Sequence, residues 1–161
     1  MINVRPAIAL DAASMARLLN AIIVQGGTSA ITHTVSGAEL AEWMAANDGR
    51  AAWHVAVNAD EEVVGFQWIE AADYLPPEAA EIATFVQIGQ TGLGIGSKLF
   101  EATRKAARTV GYKWINANIR ADNEGGLIYY QSRGFQDYGR IGNYEMADGH
   151  VVDKILKRYD L

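Results

Sequence analysis

Three glycines on alternate positions, Gly92-Leu93-Gly94-Ile95-Gly96, fall between a run rich in β-branched residues and an amphipathic helical stretch. A strand, a glycine turn and a helix form an anion-binding geometry. Successive backbone N–H groups and the positive end of the helix dipole converge on one spot, and glycines let a phosphate approach the backbone. The two common nucleotide motifs fail here. A dinucleotide fingerprint needs G-x-G-x-x-G, and Gly92 to Ser97 lacks the third glycine. A P-loop needs lysine directly after glycine, whereas Gly96-Ser97-Lys98 places it one residue late. Lys98 in the first helical turn opposes the dipole at a cost of ~0.3–1 kcal/mol, and an anion at the turn would reverse that sign.

These residues need a scaffold, and the chain reads as one. Ile2 to Arg5 is a short strand stopped by Pro6, which cannot donate to a central ladder. Asp11 is placed to N-cap an Ala-rich helix whose Met15, Leu18, Leu19 and Ile22 recur at helical spacing, ended by Gly26-Gly27. Ser36 with Glu39 three residues on predicts a capping box for a second helix running to about Asn47. Trp53 to Val57 and Val63 to Ala71 read as a hairpin around the polar turn 58–62. Tyr74-Leu75-Pro76-Pro77 is an extended connector. Glu81 to Gln87 is the next strand, β-branched and aromatic at its centre.

After the glycine turn the spacing predicts a helix to about Val110, with Ile95, Leu99, Ala102, Ala106 and Val110 along one face and Gly111 as its C′ residue. Trp114 to Ile119 is a strand and Asn123 to Ser132 a short helix. Two last strands, Phe135 to Tyr138 and Val151 to Arg158, flank a loop holding Gly142-Asn143-Tyr144. The order β-α-α-β-β-β-α-β-α-β-β predicts an α/β fold with a mixed, mostly antiparallel sheet flanked by helices.

Composition narrows the function classes. A length of 161 residues fits a single domain, 1–161, able to bury its own core without a disulfide or metal. The absence of cysteine excludes a thiolate metal site and a cysteine nucleophile, and no metal is expected. A net charge of −5 argues against nucleic acid as the main partner. No apolar run approaches the ~20 residues of a membrane-spanning helix. Met1 to Pro6 lacks the basic start and apolar stretch of a signal peptide, so a cytoplasmic location is expected.

Thr91-Gly92-Leu93-Gly94-Ile95-Gly96 resembles the Arg/Gln-x-x-Gly-x-Gly/Ala segment of the GNAT superfamily of N-acetyltransferases. Asn123 with Tyr130-Gln131-Ser132-Arg133-Gly134-Phe135 resembles its second signature, an asparagine seven residues before the tyrosine of Tyr-x-x-x-Gly-Phe. Glu81 to Val86, Gly139-Arg140-Ile141 and Val152 to Leu156 are similar to the phosphinothricin or L-amino-acid N-acetyltransferase branch. One departure stands out. The family's Arg or Gln falls on Thr91, with Gln90 one place early.

The resemblance implies acetyl-CoA as co-substrate, a small-molecule amine as acceptor, and a homodimer. The diphosphate would then rest on Thr91, Gly92, Leu93, Gly94, Ile95, Gly96 and Ser97, with help from Lys98. The strand from Glu81 would splay from the strand at Trp114, and backbone groups of Phe85, Val86 and Gln87 would pair with the pantetheine arm. Asn123 would contact that arm, cap the following helix, or do both. Tyr130 is the candidate general acid for the departing thiolate, selected over Tyr129 by its spacing to Gly134-Phe135. Glu81 is the candidate base, directly or through water. Trp68, Tyr74 and Tyr144 are candidate acceptor-pocket residues. With no cysteine, direct attack in a ternary complex is the expected course. The competing expectations are acetylation of a protein lysine or N-terminus, and a non-catalytic acyl-CoA-binding module.

Overall fold

The computed structural model describes residues 1–46 and 49–161. Among them, one mixed sheet contains β1 (Asn3–Pro6), β2 (Ala52–Val57), β3 (Val63–Glu70), β4 (Ala79–Val86), β5 (Trp114–Arg120), β6 (Gln136–Glu145) and β7 (Val151–Asp160). The spatial order is β1-β2-β3-β4-β5-β7-β6. Every neighbouring pair is antiparallel except β4 and β5. A parallel pair needs a long crossover, and helix α3 (Ile95–Val110) supplies it. Helices α1 (Ala12–Gln25), α2 (Gly37–Ala45) and α4 (Glu124–Ser132) complete the layers, in the order that the sequence predicts.

Alternation along the strands sorts the two faces. Trp53, Val55, Val57, Phe66 and Trp68 pack against Met15, Leu18, Leu19, Ile22 and Leu40 of α1 and α2. Ile69, Ala80, Ile82, Ile115, Ala117 and Ile119 share the other core with Phe100 of α3, Tyr130 of α4 and Phe135. The α3 stripe is rotated from the expected one. Ile95, Leu99, Phe100, Thr103 and Ala107 are buried, and Ala102, Ala106 and Val110 lie at its flank. Close approach explains why: a Cβ on Gly65 would stand 2.9 Å from Ile95 Cγ2 and 3.3 Å from Leu99 Cδ1. A bare backbone on β3 lets the first turn of α3 sit directly on the sheet.

Local signals hold in part. Ser36 and Glu39 form the expected capping box, with Glu39 N–H donating to Ser36 Oγ at 3.0 Å and Ser36 N–H to Glu39 Oε1 at 3.1 Å. The expected end of α2 near Asn47 lies outside the described residues. Gly111 terminates α3 in a left-handed conformation, φ 107°. Asp11 does not cap α1. Its carboxylate accepts from Ile8 N–H at 2.8 Å and from both Arg5 terminal nitrogens at 2.8 and 2.9 Å, a two-pronged ion pair that outbids a cap. The loop expected around Tyr144 is also absent. β6 runs through it, because Asn143 takes φ 52° and forms a bulge between Ile141 and Tyr144, so pairing with β7 resumes.

Candidate active site

β4 and β5 pair only over Ala79↔Trp114, Ala80↔Ile115 and Glu81↔Asn116, after which they diverge. From Ile82 to Val86, β4 keeps β3 on one side and has no strand on the other. The expected splay is therefore present, with the backbones of Phe85 and Val86 on its edge. Gln87 closes back on β3 instead, its N–H donating to Val64 O at 2.9 Å.

The turn after β4 meets the head of α3 beside this opening. Gly89, Gly92 and Gly94 have φ of 85°, 84° and 81°, conformations that favour glycine. Among the described residues, no acceptor is found for the backbone N–H groups of residues 91–97. Seven consecutive unpaired donors at a helix N-terminus form an anion nest. Gly96 has a different reason to be glycine. An added Cβ would lie 2.6 Å from Tyr129 Cε1, and the Tyr129 hydroxyl donates to Gly96 O at 2.7 Å. Ile95 contributes only backbone here, since its side chain is buried, whereas Leu93 is exposed at the tip of the turn. Lys98 turns away from the nest, its ammonium donating to Ile2 O at 3.2 Å. The cation beside the nest is Arg133, which bonds Ser97 Oγ and lies 5.9 Å from the centre of the Tyr129 ring.

Tyr130 is buried against Phe135, ring centres 5.1 Å apart, and its hydroxyl lies 2.8 Å from Thr84 Oγ1 on the unpaired stretch of β4. Gln67 Nε2 donates to the same Thr84 oxygen at 2.8 Å and to the Tyr129 hydroxyl at 3.1 Å. One chain of polar contacts thus runs from Gly96 through Tyr129, Gln67 and Thr84 to Tyr130. Burial pushes the Tyr130 phenol above its ordinary value, Tyr129 and Glu81 add to the shift, and the Thr84 bond opposes it. Burial pushes Tyr129 up to about 12, opposed by Gln67 and Arg133. Both phenols stay protonated at neutral pH. Tyr130 can offer a hydrogen bond to a developing thiolate, although full transfer from a raised phenol is uphill by ~1.4 kcal/mol per pKa unit.

Glu81 occupies the crotch of the splay. Tyr74 O–H donates to its Oε2, and Asn116 Nδ2 donates to its Oε1 at 2.8 Å. Asn118 Nδ2 reaches the Tyr74 oxygen at 3.2 Å, and Tyr138 O–H donates to Asn116 Oδ1. Burial raises the Glu81 carboxyl above its ordinary value. Tyr74, Asn116 and Lys154 oppose that rise, while Glu70 adds to it. Glu70 is its direct cross-strand partner and is itself raised by burial. A carboxylate raised toward neutrality is a stronger base than a free one, which suits removal of an ammonium proton.

The remaining expected residues separate. Asn123 caps α4, its Oδ1 accepting from Gly126 N–H at 3.0 Å, and its Nδ2 reaches Thr28 O at 3.3 Å. Tyr74 joins Glu81, whereas Tyr144 covers Lys154, whose Nζ lies 4.1 Å from its ring centre. Trp68 shares the sheet face of Glu81, and its indole bonds the carboxyl of Glu70, the cross-strand partner of Glu81. That indole is buried in a stack 4.1 Å from Trp53 and 5.8 Å from Phe85, on the face that α1 and α2 cover. Gln67, Thr84, Asn116, Asn118, Tyr138 and Lys154 were missed by sequence reasoning. A signal existed for two of them: Asn116 and Asn118 repeat at the strand period of two between Ile115, Ala117 and Ile119. Among the described residues no group of His, Cys, Asp and Glu is arranged to hold a metal, and no helix is long and apolar enough to cross a membrane.

Comparison with known proteins gives the same picture. A family model described as "Acetyltransferase (GNAT) family" matches residues 25–135. The chain is 24% identical over 155 residues to YwnH of Bacillus subtilis (strain 168), provisionally named a phosphinothricin acetyltransferase, covering 94% of this chain and 90% of that protein. A solved GNAT superfamily phosphinothricin acetyltransferase from Sinorhizobium meliloti, in complex with AcCoA, superposes with a TM-score of 0.87 at 19% identity, over 99% of this chain and 88% of that one. A Ribosomal-protein-alanine N-acetyltransferase from Brucella melitensis superposes at 0.89 with 20% identity, over 99% and 98% of the two chains. At such identities these structures establish a shared fold, and the family match covers well over half of the sequence: the chain belongs to the GNAT family of acetyltransferases.

Proposed function

We propose that this chain moves the acetyl group of acetyl-CoA to the primary amine of a small, amino-acid-like molecule by direct attack in a ternary complex. The observation that carries the reading is the run of unpartnered N–H groups at 91–97, set beside the open edge of β4. The diphosphate would rest on the amides of Thr91 to Ser97, and the pantetheine arm would lie along Phe85, Val86 and Gln87 in the gap that β5 leaves. With Thr91 where the family has a basic or amide side chain, backbone donors carry most of that grip. Asn123 would serve the arm only by giving up part of its cap.

Glu81 would receive the acceptor's ammonium proton, directly or through a water displacing Tyr74 or Asn116 from its oxygens. A β4 amide near Val86 would face the thioester oxygen. Tyr130 would bond the sulfur as charge develops there, and the proton would follow as CoA leaves. The same reading treats residues 1–161 as one acyl-CoA N-acyltransferase domain, working as a homodimer in the cytoplasm without a metal.

A protein N-terminus is the second acceptor class, suggested by the likeness to the Ribosomal-protein-alanine N-acetyltransferase. The Tyr74 connector laid on Glu81 favours the small molecule, because it narrows the approach. The test is release of CoA from acetyl-CoA against a panel of amino acids and amines, beside labelled acetyl-CoA with cell extract. Release with small amines is the expected result. Label entering protein only would favour the second class, and no release with either would overturn the transferase reading.

A further inference from the structure

Among the described residues four charged side chains are buried: Asp11, Arg120, Lys154 and Lys157. Three have ionic partners. Asp11 holds Arg5 at 2.8 Å, Arg120 holds Asp122 at 2.8 Å, and Lys157 holds Asp137. Lys154, 7% exposed, has neither an ion pair nor a hydrogen bond, only the Tyr144 ring 4.1 Å from its nitrogen. Its stem is buried while the nitrogen keeps contact with solvent, so the ammonium is free to meet an incoming anion. The position is built rather than incidental. Lys154 pairs with Arg120 on β5 and with Ile141 on β6, and the Asn143 bulge brings Tyr144 over it.

Lys154 also has a direction. Asn116, Asn118 and Arg120 alternate on β5 and share one face, so this face runs from Glu81, opposite Asn116, to Lys154, opposite Arg120. Glu81 and Lys154 feel each other's charge, and Arg120 repels Lys154 from the same side. Glu70 lies beyond Glu81. Between the two ends, Asn118 Oδ1 is buried without a partner. The Tyr74 hydroxyl donates its only proton to Glu81, so it can only accept from Asn118. That fixes Asn118 Nδ2 on the Tyr74 side and leaves Oδ1 unbonded. Along this face lie, in order, a carboxylate, an unpartnered amide oxygen beneath the surface and a cation without a protein counter-ion.

We propose that Lys154 is a specificity-determining residue of the acceptor site, binding an anionic oxygen of the acceptor, its α-carboxylate in an amino acid, while the amine faces Glu81 and Asn118 Oδ1. This rests on the transferase reading for its reaction, but the contact itself is one of binding. Arg120, already paired with Asp122 through two nitrogens and bonded to Ser29 O at 3.2 Å, is not the anion ligand.

The experiment pairs each L-amino acid with its α-amide, for the wild type, Lys154→Met and Lys154→Arg. Methionine keeps the length under Tyr144 and removes the charge. The wild type is expected to prefer the acid over its amide by ~10–100-fold in kcat/KM, the size of one charge-assisted hydrogen bond. Lys154→Met brings the ratio toward one, chiefly through KM, and Lys154→Arg restores part of it. An unchanged ratio in Lys154→Met, or no preference in the wild type, overturns the proposal. Thermal melting of each protein with the same ligands and CoA gives a readout free of turnover. Acids that raise the wild-type Tm but not that of Lys154→Met support Lys154 even if no acetyl group is transferred. Acids and amides acting alike in both proteins overturn it.

Discussion

Thr84 Oγ1 and the Tyr130 hydroxyl meet at 2.8 Å on the half of β4 that β5 no longer accompanies. The contact carries a side chain from the last helix to the edge where a thioester would lie. It also depends on Gln67, which is completely buried and bonds Thr84 and Tyr129 together.

Tyr130→Phe keeps the ring on Phe135 and removes only the hydroxyl. We expect kcat to fall by about 100-fold or more, the usual range for a lost general acid. Acetyl-CoA affinity by calorimetry should stay near the wild-type value. A kcat within a factor of two or three of wild type would remove Tyr130 from the chemistry.

Glu81 sets the acid limb of the pH profile. It must be ionised to accept a proton, and burial raises its pKa, so kcat/KM falls as pH drops through a value above the ~4.3 of a free glutamate. Glu81→Gln should lose that limb along with most of the activity. The stability sign is opposite. A raised carboxyl favours the fold fully below the unfolded pKa, and that contribution is lost as pH rises through the folded one. Chemical denaturation should show the wild type gaining on Glu81→Gln as pH falls from 7 to 4.

Two glycines of the turn separate fold from site. Gly96→Ala drives a Cβ to 2.6 Å from Tyr129 Cε1 and should cost ~1–3 kcal/mol by overpacking, breaking the Tyr129 bond to Gly96 O. Gly92→Ala meets open space but keeps φ 84°, which costs ~1–2 kcal/mol of left-handed strain. Melting curves should rank the two this way. Both should weaken acetyl-CoA.

Asp11→Asn tests the ion pair that replaced the expected helix cap. The Arg5 bond holds the Asp11 carboxyl below its ordinary value, so its stabilisation is present above the unfolded pKa and is lost as pH falls through the folded one. We expect a loss of about 1 kcal/mol at pH 7, small because Arg5 is partly exposed, vanishing in acid. A gap that persists at low pH would point to packing instead.

Element order was legible because each element carries its own punctuation. Ser36 with Glu39, Gly111 after Val110 and the glycines before Ile95 all act within one turn of chain. Asp11 misled because its competitor, Arg5, lies on a different element, and β6 ran on because a single left-handed Asn143 rescued a loop-like segment. The site was legible where a motif marked it, at 91–97, Asn123 and Tyr130. Lys154 was not, since its neighbours Glu81 and Tyr144 come from strands that only the folded sheet brings together. Trp68 is the converse: an aromatic at a strand centre serves core and pocket equally well on paper, and in the fold it stacks on Trp53 while its indole bonds Glu70 beside Glu81.

The account turns on main-chain donors at the head of α3 holding the co-substrate. Titrating acetyl-CoA into 15N-labelled protein and following the amide resonances of residues 91–97 tests this most directly. Saturable shifts concentrated there, and extending along Phe85 to Gln87, are the expected result. Resonances at 91–97 that stay in place at saturating acetyl-CoA would contradict it.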